Sequence, residues 1–505
     1  MKNLFLISRS LFLGLFLIVF TQSCTDLDEE LFDEVLEENF YQSDDEFIAA
    51  LGQSYTTLYG YMGDYFGLQE VSSDAMVVPT RGADWDDGGH WRRLHQHQYN
   101  PLDPLIGGGW TFAFGGINTC NRLIFQFEEL NNPAATTFIG ELKVLRAMYY
   151  WFLLDLYGNV PLVTEFDVPL DFAPSTSSRA EIYAFIDQEI RDNIGGLTRA
   201  VGGDTYGRVN FWAAKMLQAK LYMGAQEYTG TPQWQAAADA TAELINSGNF
   251  SLSPNFFDNF AVENATSPEF IFAIPYDQVF AQGNNIVVRT LHYGSQATYD
   301  LTAQPWNGYS SVQEFYELFG EDDLRRQSFI VGPQFTVTGD RITDSGAEEN
   351  DPDGPPLTFT PEINELGPNA LRQAGARIGK YEFGIGSTEH MSNDMPVFRY
   401  GDVLLMRAEA LFRLEQTGGE ALDLVNQLRS RAGVALFNEL TEETLLAERG
   451  RELFAEGHRR TDLIRFGRFN DAWRFKDASA PTKNIFPVPA GQLDANPNLT
   501  QNPGY

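Results

Sequence analysis

The sequence predicts a mainly α protein, a superhelix of paired helices packed against a loop-rich, mixed region. Three observations predict it. Apolar residues recur at helical spacing in two blocks, one before residue 248 and one after 396. Within each block, small residues face aromatic spacers in consecutive hairpins. Between the blocks, residues 249–395 are dense in Gly, Pro, Asn, Asp and aromatic side chains, with only a short helical patch at 312–319.

The elements follow in chain order. Lys2 and Arg9 precede an apolar run at 11–20. That run is half the ~20 residues a membrane-spanning helix needs, so it reads as the core of an export signal. Cys24 follows Thr21-Gln22-Ser23, a pattern that resembles a bacterial lipobox, although Thr21 stands where Leu is usual. The resemblance implies lipidation at Cys24 after removal of 1–23. Ordinary cleavage near Ser23 is the plainer alternative. The acidic stretch 26–30 would form a solvated tether.

Helices are expected at 36–60, 117–130 and 138–157, the last stopped by Gly158 and Pro161. Ser178 with Glu181 three residues on marks a capping box. A pair at 209–228 and 232–247, with Pro232 in the first turn, carries Ala214, Ala219, Ala237 and Ala238 among aromatics. A second pair, 397–416 and 419–433, repeats that chemistry with Ala408, Ala410 and Ala421. Small residues where antiparallel helices approach make the packing tetratricopeptide-like, with a generic α-hairpin stack as the alternative. The organisation is then a signal at 1–23, an N-terminal helical region at 24–248 with a loop insertion at 61–116, a ligand-facing loop region at 249–395, and a C-terminal helical region at 396–505.

Composition excludes several classes. The 505 residues carry 35 Lys and Arg against 69 Asp and Glu, a formal charge of −34. A nucleic-acid binder or a protein docking on anionic lipid through a basic face needs the opposite. Two cysteines cannot build a disulfide scaffold. Cys120, in an apolar helical stretch, reads as a buried inert thiol.

The search for catalytic motifs returns negatives. There is no Gly-x-Ser-x-Gly elbow and no His-Glu-x-x-His. The glycines at 384 and 386 are followed by Glu389 where a dinucleotide fingerprint needs a third Gly. The stretch 375–381 is one residue short of a phosphate loop and ends in Tyr381. Glu349, Asp351 and Asp353 resemble a calcium loop, but Thr360 stands at the twelfth position, where a bidentate carboxylate is required. His90, His95 and His97 cluster, and hydrogen-bonded structural roles are favoured over metal binding. No cofactor or metal is expected.

The long loops are unusually aromatic: Trp85, Trp91, Tyr99 and Trp110 in one, Tyr293, Tyr299, Trp306 and Tyr309 in the other. Trp and Tyr offer flat faces to sugar rings and large contact areas to peptides, while Arg, Asp and Asn take hydroxyls. Trp110 leads into a helix and reads as core. Trp85, flanked by Asp84, Asp86 and Asp87, and Trp306, flanked by Pro305 and Asn307, read as exposed.

Several of these features together resemble the SusD/RagB-like nutrient-binding outer-membrane lipoproteins. They are the lipidation signal, the loop at 81–89, Trp306-Asn307-Gly308, Phe398-Arg399-Tyr400-Gly401-Asp402, the Glu/Arg run opening Glu448-Arg449-Gly450-Arg451-Glu452, and the tail ending Asn502-Pro503-Gly504-Tyr505. Arg460-Thr461 departs from the aromatic pair often found there. The resemblance implies a non-enzymatic lipoprotein on the outer face of the outer membrane. It implies a SusC-like TonB-dependent barrel as partner, the lipoprotein acting as a hinged lid. The cargo it implies is an oligosaccharide, or in some relatives an oligopeptide. A surface glycan hydrolase and a peptide-binding adaptor are the competing classes. By analogy with the family's aromatic platform, the expected ligand-binding residues are Arg81, Trp85, Asp86, Trp91, Tyr293, Trp306 and Asn307. The Glu/Arg run itself reads as a satisfied structural network.

Overall fold

The computed structural model describes residues 43–505 except 131, 345, 347–355 and 417–418. The export segment, Cys24 and most of the stretch resembling a calcium loop lie outside the described residues. The body of the protein is Ile48–Tyr505. Of the unit before it only 43–47 are described, of which 44–47 belong to α1 (Asp44–Thr56).

The structure is mainly helical, with short two-stranded pairings. Helices α2 (Pro104–Glu129) and α3 (Ala135–Leu156) form the first hairpin. Helix α2 begins well before the expected position. Pro104 takes its first turn, where a missing N–H costs nothing, and Trp110 lies inside it, buried. The Gly107-Gly108-Gly109 run therefore belongs to the helix rather than to a loop. Close approach accounts for two of the three: a Cβ at Gly108 would lie 2.7 Å from Asp64 Oδ1 and one at Gly109 2.8 Å from the Tyr157 hydroxyl; further along the helix, one at Gly116 would collide with the Tyr149 ring. Helix α3 is buried almost all round, and Gly158 at φ +71° turns the chain out of it.

Helix α4 (Arg179–Asn193) packs on α3 and starts with the capping box, Ser178 accepting from the Glu181 amide while Glu181 accepts from Ser178. Helices α5 (Phe211–Met223) and α6 (Trp234–Asn246) pair. Pro232 lies ahead of α6 rather than in its first turn, because the chain first makes a left-handed turn at Gly230. Helix α6 then packs on α7 (Tyr400–Arg413), and α7 on α8 (Glu420–Arg431). Buried Ala237, Ala238, Ala408 and Ala410 allow this succession, and Arg407 donates to the Ala238 carbonyl at 2.7 Å.

The segment before α7 departs from the helical expectation. Residues Met395–Arg399 form a strand, β2, antiparallel to β1 (Phe270–Ile274), with every side chain of both buried. Both faces are covered, so the polar alternation that marks a half-exposed strand is absent, and Phe398 and Val397 pass for helix. This pair ties the end of the loop region to the C-terminal helices.

The Glu/Arg run forms a buried ionic network around α9 (Glu442–Leu453). Arg399 reaches Glu269, Glu452 and Glu456, and Arg325 reaches Asp323, Glu448 and Glu452. Burial alone would push Glu452 upward. Arg431, Arg399 and Arg325 instead hold its carboxyl well below the usual carboxylate range. Cys120 is fully buried, and burial pushes its thiol well up, away from reactivity. Among the described residues no helix is long and apolar enough to cross a membrane.

Candidate functional site

Three irregular segments meet on one side of the loop region. Met76–Val77 pairs antiparallel with Ser310–Ser311, which brings the 81–91 loop beside the 304–309 loop. Residues 366–377 close the third side. Irregular segments leave carbonyls without ladder partners, and two buried arginines take them up. Arg81, 3 % exposed, donates to the carbonyls of Asn307 (2.6 Å), Ala374 (2.7 Å), Gly308 and Leu371. Arg377 donates to those of Ala374, Gly375 and Arg372, and to Asn307 Oδ1. Burial lowers Arg81 to about 10, still charged at neutral pH. Asn307 sits at φ +57°, a conformation Asn tolerates better than most residues, fully buried with its amide on the Arg372 carbonyl at 3.0 Å.

On this base stand the rings. Trp85 is held at φ +59°, unusual for a bulky residue and a mark of constraint from its surroundings. Its indole N–H donates to the Trp306 carbonyl at 2.6 Å. Its ring lies so close to Gly308 that a Cβ there would fall 2.5 Å from Trp85 Cζ2. The Trp85 and Trp306 rings are 6.2 Å apart and inclined at 48°. Behind Trp85 lie Trp91 at 5.6 Å and Tyr309 at 5.9 Å, both buried. Tyr293 donates its hydroxyl to Asp84, and its ring carries the Arg372 guanidinium at 4.6 Å. Burial and then the Asp84 bond push Tyr293 up to about 12. Asp344 anchors Arg372 through both carboxylate oxygens, at 2.7 and 3.0 Å.

The result is an open cleft of about 560 Å³ in which Trp85 and Trp306 are framed by Asp84, Asp87, Tyr293 and Gln304. Half-buried rings are fixed in place, with carboxylate and amide oxygens around them. That is the arrangement a polyhydroxylated ring ligand requires, apolar faces for its C–H bonds and acceptors for its hydroxyls.

Among the expected ligand-binding residues, Trp85, Tyr293 and Trp306 line the cleft. Arg81, Asn307 and Trp91 do not: the first two are spent on backbone carbonyls, and Trp91, 5 % exposed, backs Trp85 and donates to Asp87 at 2.9 Å. Asp86 is exposed but turned to Arg92, 3.0 Å away. Asp84, Asp87, Gln304 and Pro305 are the lining residues the expectation left out. The flanking acids of Trp85 were visible as its neighbours, whereas nothing local marked Gln304. His95 and His97 are buried on backbone carbonyls, and burial lowers both. Among the described residues no cluster of His, Cys, Asp or Glu could hold a metal ion.

Comparison with known proteins agrees with this architecture. The chain is 26% identical over 455 residues to the starch-binding protein SusD of Bacteroides thetaiotaomicron, covering 78% of each. It is 27% identical to a SusD-like protein of Formosa agariphila, over 90% of this chain and 89% of that one. Among solved structures, a laminarin-binding SusD-like protein superposes with a TM-score of 0.74 at 23% identity, covering 92% of this chain and all of the other. Surface glycan-binding protein A of Bacteroides thetaiotaomicron, solved with laminarihexaose, gives 0.72 at 22%, covering 91% and 99%. At these identities the superpositions establish the fold. The sequence profile of the SusD family matches residues 212–505, more than half of the chain, and the protein belongs to the SusD family.

Proposed function

We propose that this protein is a lipid-anchored outer-membrane component that holds oligosaccharides on the Trp85–Trp306 face and passes them to a SusC-like TonB-dependent barrel. The helical blocks 24–248 and 396–505 are the scaffold offered to the barrel. The 249–395 region, with the 61–116 insertion, is the part that reads the ligand. The anchor is Cys24. The protein binds without catalysis, in keeping with relatives named for binding starch, laminarin or glycan.

The observation that carries this reading is the pair of inclined, half-buried indoles fixed in an open cleft with acidic and amide groups around them. The test is affinity electrophoresis and calorimetry of the full chain against malto- and laminari-oligosaccharides. Trp306→Ala is expected to weaken binding about 30-fold, the ~2 kcal/mol of a central aromatic anchor, with no shortened product on long incubation. Binding of oligopeptides but of no sugar would overturn the cargo. Recovery of the tagged chain from outer membranes without a barrel partner would overturn the handover.

A further inference from the structure

We propose that the cleft takes uncharged oligosaccharides and rejects chains bearing uronate or sulfate groups, with Asp84 and Asp87 setting that choice. This rests on the oligosaccharide reading above. Ring faces stack on neutral and acidic pyranoses alike, so charge selection falls to the rim. Both ionisable groups on that rim, other than the Tyr293 phenol, are carboxylates, and among the described residues no Lys or Arg lines the cleft.

Nearby guanidiniums each have partners outside the cleft, although the Arg372 charge also acts on Asp84. Arg81 and Arg377 lie buried behind the rings on carbonyls. Arg92 is held by Asp86 and Thr80, and Arg93 by Asp103 and the Gly88 carbonyl. Arg372 grips Asp344 and covers the Tyr293 ring. Arg289 is held by Asn285 and the Tyr309 hydroxyl. A site for carboxylate or sulfate ordinarily presents a bidentate guanidinium, and none is presented here. Carboxylates instead accept sugar hydroxyls through charge-assisted bonds. The overall charge of −34 adds repulsion at longer range.

The probes are neutral laminari- and malto-oligosaccharides and the same chains oxidised at C6 to uronates, titrated into the full chain in EDTA at two salt concentrations. A carboxylate about 7 Å from a ligand anion in water costs about threefold in affinity. The neutral form is therefore expected to bind about tenfold more tightly than its oxidised twin, with the gap shrinking as salt rises. Asp84→Asn and Asp87→Asn should each narrow the ratio about threefold, and the double variant should nearly close it. Equal or tighter binding of the oxidised chain would overturn the proposal, as would a double variant that leaves the ratio unchanged. So would oxidised-chain binding that exceeds neutral binding once calcium replaces EDTA, which would make the carboxylates a cation bridge. If neither form binds, the oligosaccharide reading itself has failed and the charge rule falls with it.

Discussion

Replacing Gly308 by alanine tests whether the Trp85 indole is held where it is because the chain leaves room for it. The added Cβ would lie 2.5 Å from Trp85 Cζ2, against 3.4 Å for an ordinary contact. Trp85 Cε2 lies closer still, so the ring must retreat by about 1 Å, or Gly308 must move. The backbone of Trp85 gives little, because the Arg81–Asp84 bridge closes the turn just before it and Arg81 is pinned to the Gly308 carbonyl itself. A retreat of that size stretches the 2.6 Å bond from Trp85 Nε1 to the Trp306 carbonyl to the limit of hydrogen bonding. The lost bond contributes about 1 kcal/mol and the overpacking about 1–2 kcal/mol more. A chain of this length then loses about 2–3 °C in melting temperature. The near-ultraviolet dichroism of the tryptophans should change, and oligosaccharide affinity should fall about tenfold as the two indole faces lose their common geometry. Gly491→Ala, at a helical glycine with open space around its Cβ position, is the control and should leave all three readouts in place. Unchanged dichroism and melting in Gly308→Ala would refute the packing argument. Altered dichroism with undiminished sugar affinity would refute the role given to the rings.

Three further outcomes concern the scaffold. Glu452→Gln removes a carboxylate shared by Arg325, Arg399 and Arg431 and should destabilise by about 3–5 kcal/mol, because three guanidiniums lose a common partner inside the core. In the wild type, Glu452 titrates lower in the fold than in the unfolded chain, so its contribution is complete above about pH 4.3 and fades as pH falls through the lower folded value. Urea midpoints from pH 7 to 3 should show this decline, and a midpoint flat across that range would contradict it. Cys120 should resist thiol reagents in the native protein and react at the rate of unfolding, as followed by peptide mass mapping. Rapid native labelling would place it in a different environment.

The helices were legible because they bury apolar stripes at their own period, and α3 is the plainest case. The start of α2 was not. Three consecutive glycines announce a loop locally, and only the nearness of Asp64 to Gly108 and of Leu68 and Tyr157 to Gly109, set by other elements, makes small residues the right choice inside a helix. The site divided in the same way. Acids on both sides of Trp85, and Pro305 beside Trp306, pointed to exposed indoles, and both reach the cleft. Trp91 has a similarly polar neighbourhood, yet Tyr309, more than two hundred residues away, helps to bury it.

Arg81 and Asn307 show why polar residues in such loops mislead. Read one at a time, an arginine and an asparagine near tryptophans are N–H donors waiting for a ligand's hydroxyls. A wall built from three irregular segments, however, leaves inward-facing carbonyls that no ladder satisfies, and each would cost about 1–3 kcal/mol if left buried and unpaired. One guanidinium carries five N–H donors in a rigid fork, more than any other side chain offers. Ligand or no ligand, the junction of the 81–91, 304–309 and 366–377 segments requires such a group at its centre, and Arg81 and Arg377 meet that demand. Their disposition follows from the loops being irregular, and it leaves the open cleft to be lined by other side chains: two indoles, a phenol, an amide, two carboxylates and a proline ring.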